Sequence, residues 1–456
     1  MAGTYQAYPE YKYSGVEWLE NTPTHWRAKP LKFLCTYNDE VLADSVNDDY
    51  EIEYVDIGSV SATEGVTKTE SMVFGKAPSR ARRIVRDGDV IISTVRTYLE
   101  AIAPIDNQPE NLVVSTGFVV IRPSRILYKG YAAYCLRASG FIKEVVAQSV
   151  GVSYPAINAS DLVNIKVPEP TLDEQQQIAN FLDHETAKID TLIEKQQQLI
   201  KLLKEKRQAV ISHAVTKGLN PNAPMRDSGV EWLGEVPEYW EICRIKQVAV
   251  LESGHTPDKK IESYWINCDI PWVSLNDSTQ LKKVDYITET AFYLNEKGIE
   301  NSSARLLPEG CVVFTRDASI GLAAITTRIM AVSQHIIAWV CDPEKVVPEY
   351  LLLVFYAMKE ELDRYTSGAT LKTIGLPDVN KLTGAFPPLP EQKTLYAHVF
   401  SEMRKFDLLI LKSNEVVGIM YERRTALISA AVTGKIDVRN WVAPESSITI
   451  NKDVAA

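Results

Sequence analysis

Two stretches of this chain concentrate side chains that can grip an anion or the edge of a heterocycle. The first runs Arg80, Arg82, Arg83 and Arg86, then Ser93, Thr94, Arg96, Thr97 and Tyr98, with Ser149, Ser153 and Tyr154 further on. The second holds Ser274, Asn276, Lys282, Lys283, Thr315, Arg316 and Ser319, then Gln334, His335, Thr370 and Lys372. Cationic groups suit phosphate, and guanidinium, amide and hydroxyl groups also bond to base edges. The plain alternative is a solvated surface, which is what most charge runs are. Bond-making chemistry is not legible. There is no GxxxxGK[ST] loop, no GxGxxG after a strand, no HExxH, no GxSxG and no His pair at i, i+4. Phe386-Pro387-Pro388-Leu389 has the prolines of a base-methylating tetrad but lacks its amide donor. The six His, at 25, 184, 213, 255, 335 and 398, do not cluster. The pattern reads as a protein that binds rather than catalyses.

Such side chains need a scaffold, and one stretch supplies it. Thr171-Leu172-Asp173-Glu174 is a capping-box signature after Pro168 and Pro170, so a helix starts there. Neither Pro nor Gly interrupts it until Gly218. Apolar residues step by fours and threes at Ile178, Leu182, Ile189, Leu192, Leu199, Leu203 and Val210, with polar rungs at Glu185, Gln196, Lys206 and His213. At about 1.5 Å per residue this is a rod of roughly 65 Å, which needs a partner helix to bury its stripe.

The partner lies in the same chain. At an offset of 217 residues Glu174-Gln175 returns as Glu391-Gln392, and the stripe returns as Leu395, Val399, Phe406, Leu409, Val416, Met420 and Leu427. Both helices end on Ala-Val-Thr, at 214–216 and 431–433. A second repeat confirms the duplication. Ser14-Gly15-Val16-Glu17-Trp18-Leu19 recurs as Ser228-Gly229-Val230-Glu231-Trp232-Leu233, followed by spaced Pro23/Pro237, Trp26/Trp240 and Lys32/Lys246. The Trp residues read as packing anchors. Between each repeat segment and its helix lie about 140 residues that agree only weakly. Val114–Val120 resembles Val332–Ala338, and Asp87–Ile92 resembles Pro308–Phe314; these read as strands. Tyr131–Ala147 and Pro348–Tyr365 read as helices, and Gly151–Leu162 and Gly368–Val379 as loops before a final strand.

The expected order is a first globule at 1–170 (repeat segment 14–34), a long helix at 171–217 and a linker at 218–227. A second globule at 228–387 (repeat segment 228–248), a long helix at 388–435 and a tail at 436–456 follow. The fold class is α+β: two α/β-type globules and two long helices packed as an antiparallel coiled coil. Residues 1–13 read as an irregular lead-in. If the helices pack antiparallel, the halves are related by a pseudo-twofold.

Composition narrows the classes. The chain of 456 residues is 45% hydrophobic and 24% charged, which is ordinary globular composition with room for two or three cores. Its longest apolar run, Leu351–Met358, is far short of a membrane span. The six scattered Cys and the absence of a secretion signal suggest reduced thiols in the cytoplasm. The net charge of −10 counts against a simple DNA-coating protein, but ten acids and one base fall between Asp39 and Glu70, against ten bases and five acids between Lys76 and Arg137. That asymmetry permits a basic face.

Taken together, the two Glu-Gln-opened helices, the Leu389-Pro390-Glu391-Gln392 run, the repeated Ser-Gly-Val-Glu-Trp-Leu text and the two divergent globules resemble the specificity subunit of type I restriction-modification enzymes, over about residues 14–436. The resemblance implies that the globules are target recognition domains reading the two halves of a split, asymmetric target in double-stranded DNA. The helices would set the gap and dock two methyltransferase subunits, with motor-nuclease subunits joining for restriction. S-adenosylmethionine, ATP and Mg²⁺ would belong to those partners, and none to this chain. The residues named first become candidate DNA contacts, with Arg96 and Arg316 raised by their place just after corresponding strands. The competing reading is a coiled-coil scaffold or adaptor whose globules bind proteins. A self-sufficient modification enzyme is a third, for which no cofactor site is legible.

Overall fold

The computed structural model describes residues 5–61, 63–366 and 372–443. Its contacts do not follow the linear order of globule and helix. One compact unit comprises Met1–Gln196 and Glu415–Ala456, the other Gln197–Asn414. Each long helix, Leu172–Lys217 and Leu389–Val432, therefore contributes to both units.

In the first unit an antiparallel sheet runs in the order Ile102–Pro104, Val90–Ser93, Phe118–Pro123, Cys35–Tyr37. A second sheet runs Glu70–Val73, Glu51–Val55, Leu112–Ser115, Ala81–Ile84, with the two central strands parallel. Alternation sorts the strand residues between two cores. Val90, Ile92, Val119 and Ile121 join one with Trp26, Tyr131 and Phe141, while Ile91, Phe118 and Val120 join Val55 and Val114 in the other. The first core also takes Ile178, Phe181, Leu182 and Ile189 from the start of the first long helix, and Leu427, Ile428, Ala431 and Val432 from the end of the second. The start of one helix against the end of the other is an antiparallel pairing, tied on its flank by Arg424 Nε to Asp190 Oδ1 at 2.8 Å.

The second unit repeats the plan. A sheet of Ala249–Ser253, Ile336–Cys341, Val312–Thr315, Ala323–Thr326 and Tyr286–Ile287 lies beside Phe292–Leu294, Ile270–Val273 and Ala331–Val332, whose last two strands are parallel. Its main core takes Ile211, Ala214 and Val215 from the end of the first long helix and Leu395, Val399 and Met403 from the start of the second. Arg207 Nε meets Asp407 Oδ1 at 2.9 Å. The same antiparallel pairing recurs.

Several elements differ from the sequence expectation. The helical stripe shifts phase in its middle. Leu192 and Leu199 are 49% and 42% exposed, while Ile193 and Ile200 are 5% and 9%. Leu409 and Val416 are likewise exposed. With Leu-Ile pairs at 192–193 and 199–200, either phase offers an apolar rung, and packing selects the Ile rungs. The stretches 114–120 and 332–338 are not single strands. Each is a strand, a short turn and a second strand in the other sheet: Leu112–Ser115 then Phe118–Pro123, and Ala331–Val332 then Ile336–Cys341. The helix expected over 131–147 breaks into Lys129–Cys135 and Ser139–Ala147, and that over 348–365 into Pro348–Ala357 and Lys359–Arg364. From residue 5 on the lead-in is structured: Tyr8 is buried, and Tyr11–Tyr13 pairs with Asn21–Pro23, as Met225–Asp227 pairs with Glu235–Pro237. Beyond the second helix, Ile436 and Val438 enter the first core and Asp437 N donates to Gln6 O at 2.8 Å. Among the described residues no helix is long and apolar enough to cross a membrane.

Candidate nucleic-acid interface

Both globules bring three strand ends together, and the candidate side chains stand there. In the first unit Val90–Ser93 runs into a loop where Arg96 adopts a left-handed φ of 50°. Glu51–Val55 ends at Asp56, whose carboxylate caps the next turn by accepting from Ser59 N at 3.0 Å. Leu112–Ser115 ends at a hydroxyl that accepts from Gly117 N at 3.2 Å. A recess between these ends is lined by Asp56, Arg80, Arg96, Ser115 and Tyr154. The Arg96 guanidinium sits 5.0 Å from the centre of the Tyr154 ring, a cation–π contact that fixes its plane. A bridge between Val95 and Ala156 keeps the Tyr154 loop alongside.

The second unit has the same frame with other side chains. Val312–Thr315 leads to Ala318, left-handed at φ 63°. Ile270–Val273 ends at Ser274, whose hydroxyl accepts from Asn276 N at 3.3 Å. Ala331–Val332 ends at Ser333, and a bridge between Asp317 and Thr373 stands where Val95–Ala156 stands in the first unit. Here the turn carries Gln334 and His335. His335 Nδ1 donates to Asp317 Oδ2 at 2.6 Å. Arg316 is anchored by its backbone N–H to His335 O at 3.0 Å, with its guanidinium 3.9 Å from Asp317.

This geometry gathers Arg80, Arg96 and Tyr154 in one unit, and Arg316, Gln334, His335 and Lys372 in the other; Ala318 N donates to Lys372 O at 2.9 Å. Asn276 follows the neighbouring strand end and is exposed, as are Tyr98 and Ser153. Ser93, Thr97, Ser274 and Thr315 are buried and use their hydroxyls internally, Ser93 on Val95 O at 2.6 Å and Thr97 on Ser149 Oγ at 2.8 Å. Their hydroxyls are spent on holding the loops. Thr94 bonds Gly117 O at 2.9 Å, Ser149 bonds Val145 O at 2.7 Å, and Ser319 offers its carbonyl to Thr315. Lys282 and Lys283 line a different cleft, with Arg207, Gln208, Tyr356 and Asp407. Thr370 lies outside the described residues.

The arginine cluster is also dispersed. Arg82 lies over Phe74 and pairs with Asp44 at 3.0 Å; Arg86 pairs with Glu40. Arg83 is half-buried in Ala81–Ile84, and burial lowers its pKa. Arg122 bonds Asp89 at 2.7 Å and Glu40 at 3.2 Å, and Lys129 bonds Asp87 at 2.7 Å. Much of the basic run is thus met by carboxylates, two of them in the acidic run, where sequence counting allowed a basic face. Sequence reading missed Asp56 although its cap on Ser59 is local, and missed Asp317 because it and its partner His335, 18 residues apart, share no local signature.

The sequence pattern of the family described as the type I restriction modification DNA specificity domain matches residues 23–202 and again 237–415. The chain belongs to this family, and carries its domain twice. It is 22% identical over 449 residues to a putative type I restriction enzyme MjaX specificity subunit of Methanocaldococcus jannaschii, covering 95% of this chain and 99% of that one. A 190-residue stretch is 30% identical to the MjaIX specificity subunit of the same organism, 41% and 42% of the two chains. In fold it is similar, with a TM-score of 0.72 at 22% identity, to a solved chain from a study of assembly and conformational transition in the type I R-M system, covering 91% of this chain and 99% of that one. Nothing in these likenesses supports the adaptor reading.

Proposed function

We propose that this chain is the DNA-reading subunit of a type I restriction-modification enzyme, each unit reading one half of a split target. The observation that carries this reading is the repeated frame: in each unit three strand ends, a left-handed loop residue at corresponding places (Arg96 and Ala318) and a bridge beside it (Val95 to Ala156 and Asp317 to Thr373), presenting unlike polar side chains. A common frame with divergent contents is what two unlike half-sites demand. The side chains at the strand ends, the exposed Arg80 and Arg96 in one unit and the exposed Gln334 and Lys372 with the partly buried Arg316 in the other, are the proposed DNA contacts. The long helices set the gap and carry docking surface for two methyltransferase subunits, with motor-nuclease subunits joining for restriction in the cytoplasm. This chain is non-catalytic, and S-adenosylmethionine, ATP and Mg²⁺ are bound by the partners.

The test is methylation mapping. The chain is expressed with its modification subunit and host DNA is sequenced for modified bases. A single bipartite, asymmetric motif is expected. A stable complex that modifies nothing, or modifies without sequence preference, would overturn the assignment. Removing one heptad from both helices should change the gap and leave the half-sites intact.

A further inference from the structure

The turn between Ala331–Val332 and Ile336–Cys341 carries a chain of hydrogen bonds whose direction is fixed at one end by a buried charge. Asp317, 7% exposed, accepts from His335 Nδ1 at 2.6 Å and from the Thr373 hydroxyl. A neutral imidazole that donates from Nδ1 has an acceptor at Nε2. That acceptor faces the Gln334 amide nitrogen at 3.1 Å. The amide is thereby oriented with Nε2 toward His335 and Oε1 away from it, and Oε1 accepts from the Thr256 hydroxyl. Thr256 reaches it because the backbone at Gly254 crosses the strand end at very close range: a Cβ on Gly254 would stand 1.6 Å from Val332 O. Gln334 is nevertheless exposed. Its second amide hydrogen and second Oε1 lone pair have no partner among the described residues.

We propose, resting on the DNA-reading role above, that Gln334 reads an adenine in the half-site of the second unit, donating to N7 and accepting from N6 in the major groove, while Thr256, His335 and Asp317 hold its amide edge in register. A carboxamide offering one donor and one acceptor side by side matches adenine among the four bases. An exposed glutamine ordinarily loses rotamer freedom when it binds, and here the orientation is set beforehand. Asp317 and His335 are positioning residues, and Gln334 alone touches the base.

The experiment is methylation mapping of the complete modification complex, paired with affinity measurements on duplexes that vary every base pair of the second half-site. For the unaltered chain, one position should require adenine. Gln334→Ala should reduce discrimination at that position about 10- to 100-fold and leave the other positions and the first half-site unchanged. Gln334→Glu, which can accept but not donate, should move preference at the same position toward cytosine. Asp317→Asn should weaken discrimination at that position selectively; a merely structural role would lower affinity for all duplexes alike. A motif unchanged in both Gln334 variants, or altered at several positions together, would overturn the proposal and leave the DNA-reading function standing. Absence of any modification motif for the unaltered chain would instead remove that function, and the proposal with it.

Discussion

The two helix starts carry the same Glu-Gln pair and use it differently. Gln175 accepts from Tyr128 N at 2.7 Å and donates to Ile126 O and Pro170 O, both at 3.1 Å. Gln392 makes the same three bonds, accepting from Val347 N at 3.0 Å and donating to Lys345 O at 2.8 Å and Pro387 O at 2.9 Å. The preceding glutamates diverge. Glu174, buried, receives His25 Nε2 at 2.8 Å, Tyr8 Oη and Trp26 Nε1 both at 3.3 Å, and both donors of Thr171. Glu391 receives Tyr239 Oη at 2.9 Å, and the buried Trp240 Nε1 has no hydrogen-bond acceptor among the described residues. The glutamine is a clamp common to the two frames, binding each long helix to its globule; the glutamate network belongs to the first unit. Trp18 and Trp232 follow the clamp, each donating to the final strand, on Lys166 O at 3.1 Å and Thr383 O at 3.2 Å. Identity between the halves therefore marks what holds the frame, and difference marks what each half does alone.

If the clamp is shared, breaking it should hurt both units equally. Gln175→Ala or Gln392→Ala leaves one N–H and two carbonyls without their side-chain partner, of which the Pro170 or Pro387 carbonyl is buried; at about 1–3 kcal/mol for the buried group and less for the part-buried ones, a loss of about 3 kcal/mol is expected. Hydrogen exchange should accelerate at the Tyr128 amide in one variant and at the Val347 amide in the other. A large loss in one variant only would show that the matching bonds are not equivalent.

The glutamates should respond unequally. Glu174→Gln removes the charge from a buried, multiply donated acceptor and should cost about 2 kcal/mol, whereas Glu391→Gln, with one exposed partner, should cost well under 1 kcal/mol. Burial pushes the Glu174 carboxyl up, but bonds from His25, Trp26 and Thr171 outweigh it and hold the pKa below its ordinary 4.5. A depressed carboxyl contributes stability that is present above the ordinary value and is lost as pH falls through the folded one. Denaturant titrations below pH 4.5 should therefore show a fall in first-unit stability that Glu174→Gln flattens. An unchanged slope would mean the network carries no net charge stabilisation.

The recognition loops sharpen the comparison further. Arg96→Ala should weaken duplex binding about tenfold, roughly the worth of one well-placed cationic contact. If Arg96 meets phosphate, the loss is uniform across sequences and the salt slope falls by about one; if it meets a base, specificity relaxes at one position. Unchanged affinity and specificity would remove Arg96 from the interface. Tyr154→Leu should act in the same direction more weakly, since it releases the guanidinium without removing it.

How much of this was legible in the sequence depends on range. The capping box at Thr171 and Glu174 is local, and it forms, with Glu174 N on Thr171 Oγ1 at 3.3 Å and Thr171 N on Glu174 Oε2 at 3.2 Å. The duplication is textual, so the repeated frame was visible. The phase of the helical stripe was not, because Leu192-Ile193 and Leu199-Ile200 satisfy either phase until packing decides. Nor was the turn at Ser333–His335, because the apolar residues on both sides read as one strand. The Arg80–Arg86 run looked like a basic face because counting along the chain ignores the pairing of Val41 with Arg83 that brings Glu40 and Asp44 within reach. Strand register thus turns a local charge excess into ion pairs.

The smallest predicted effect tests whether the left-handed loop residue serves the frame or the reading. Arg96 and Ala318 hold corresponding places with φ of 50° and 63°. A left-handed alanine costs about 1–2 kcal/mol, against roughly 0.5–1 kcal/mol for the extra unfolded-state entropy of glycine. Ala318→Gly should therefore stabilise the second unit by about 0.5–1 kcal/mol in denaturant melts, with the methylation motif unchanged, since a methyl group offers no bond to DNA. Arg96→Gly should relieve the same backbone strain while losing the stacked guanidinium, so the first unit gains stability as DNA affinity falls. If Ala318→Gly instead alters the second half-site, the methyl itself is a contact, of the kind alanine makes with the thymine methyl group. The left-handed position would then be a reading position in both units.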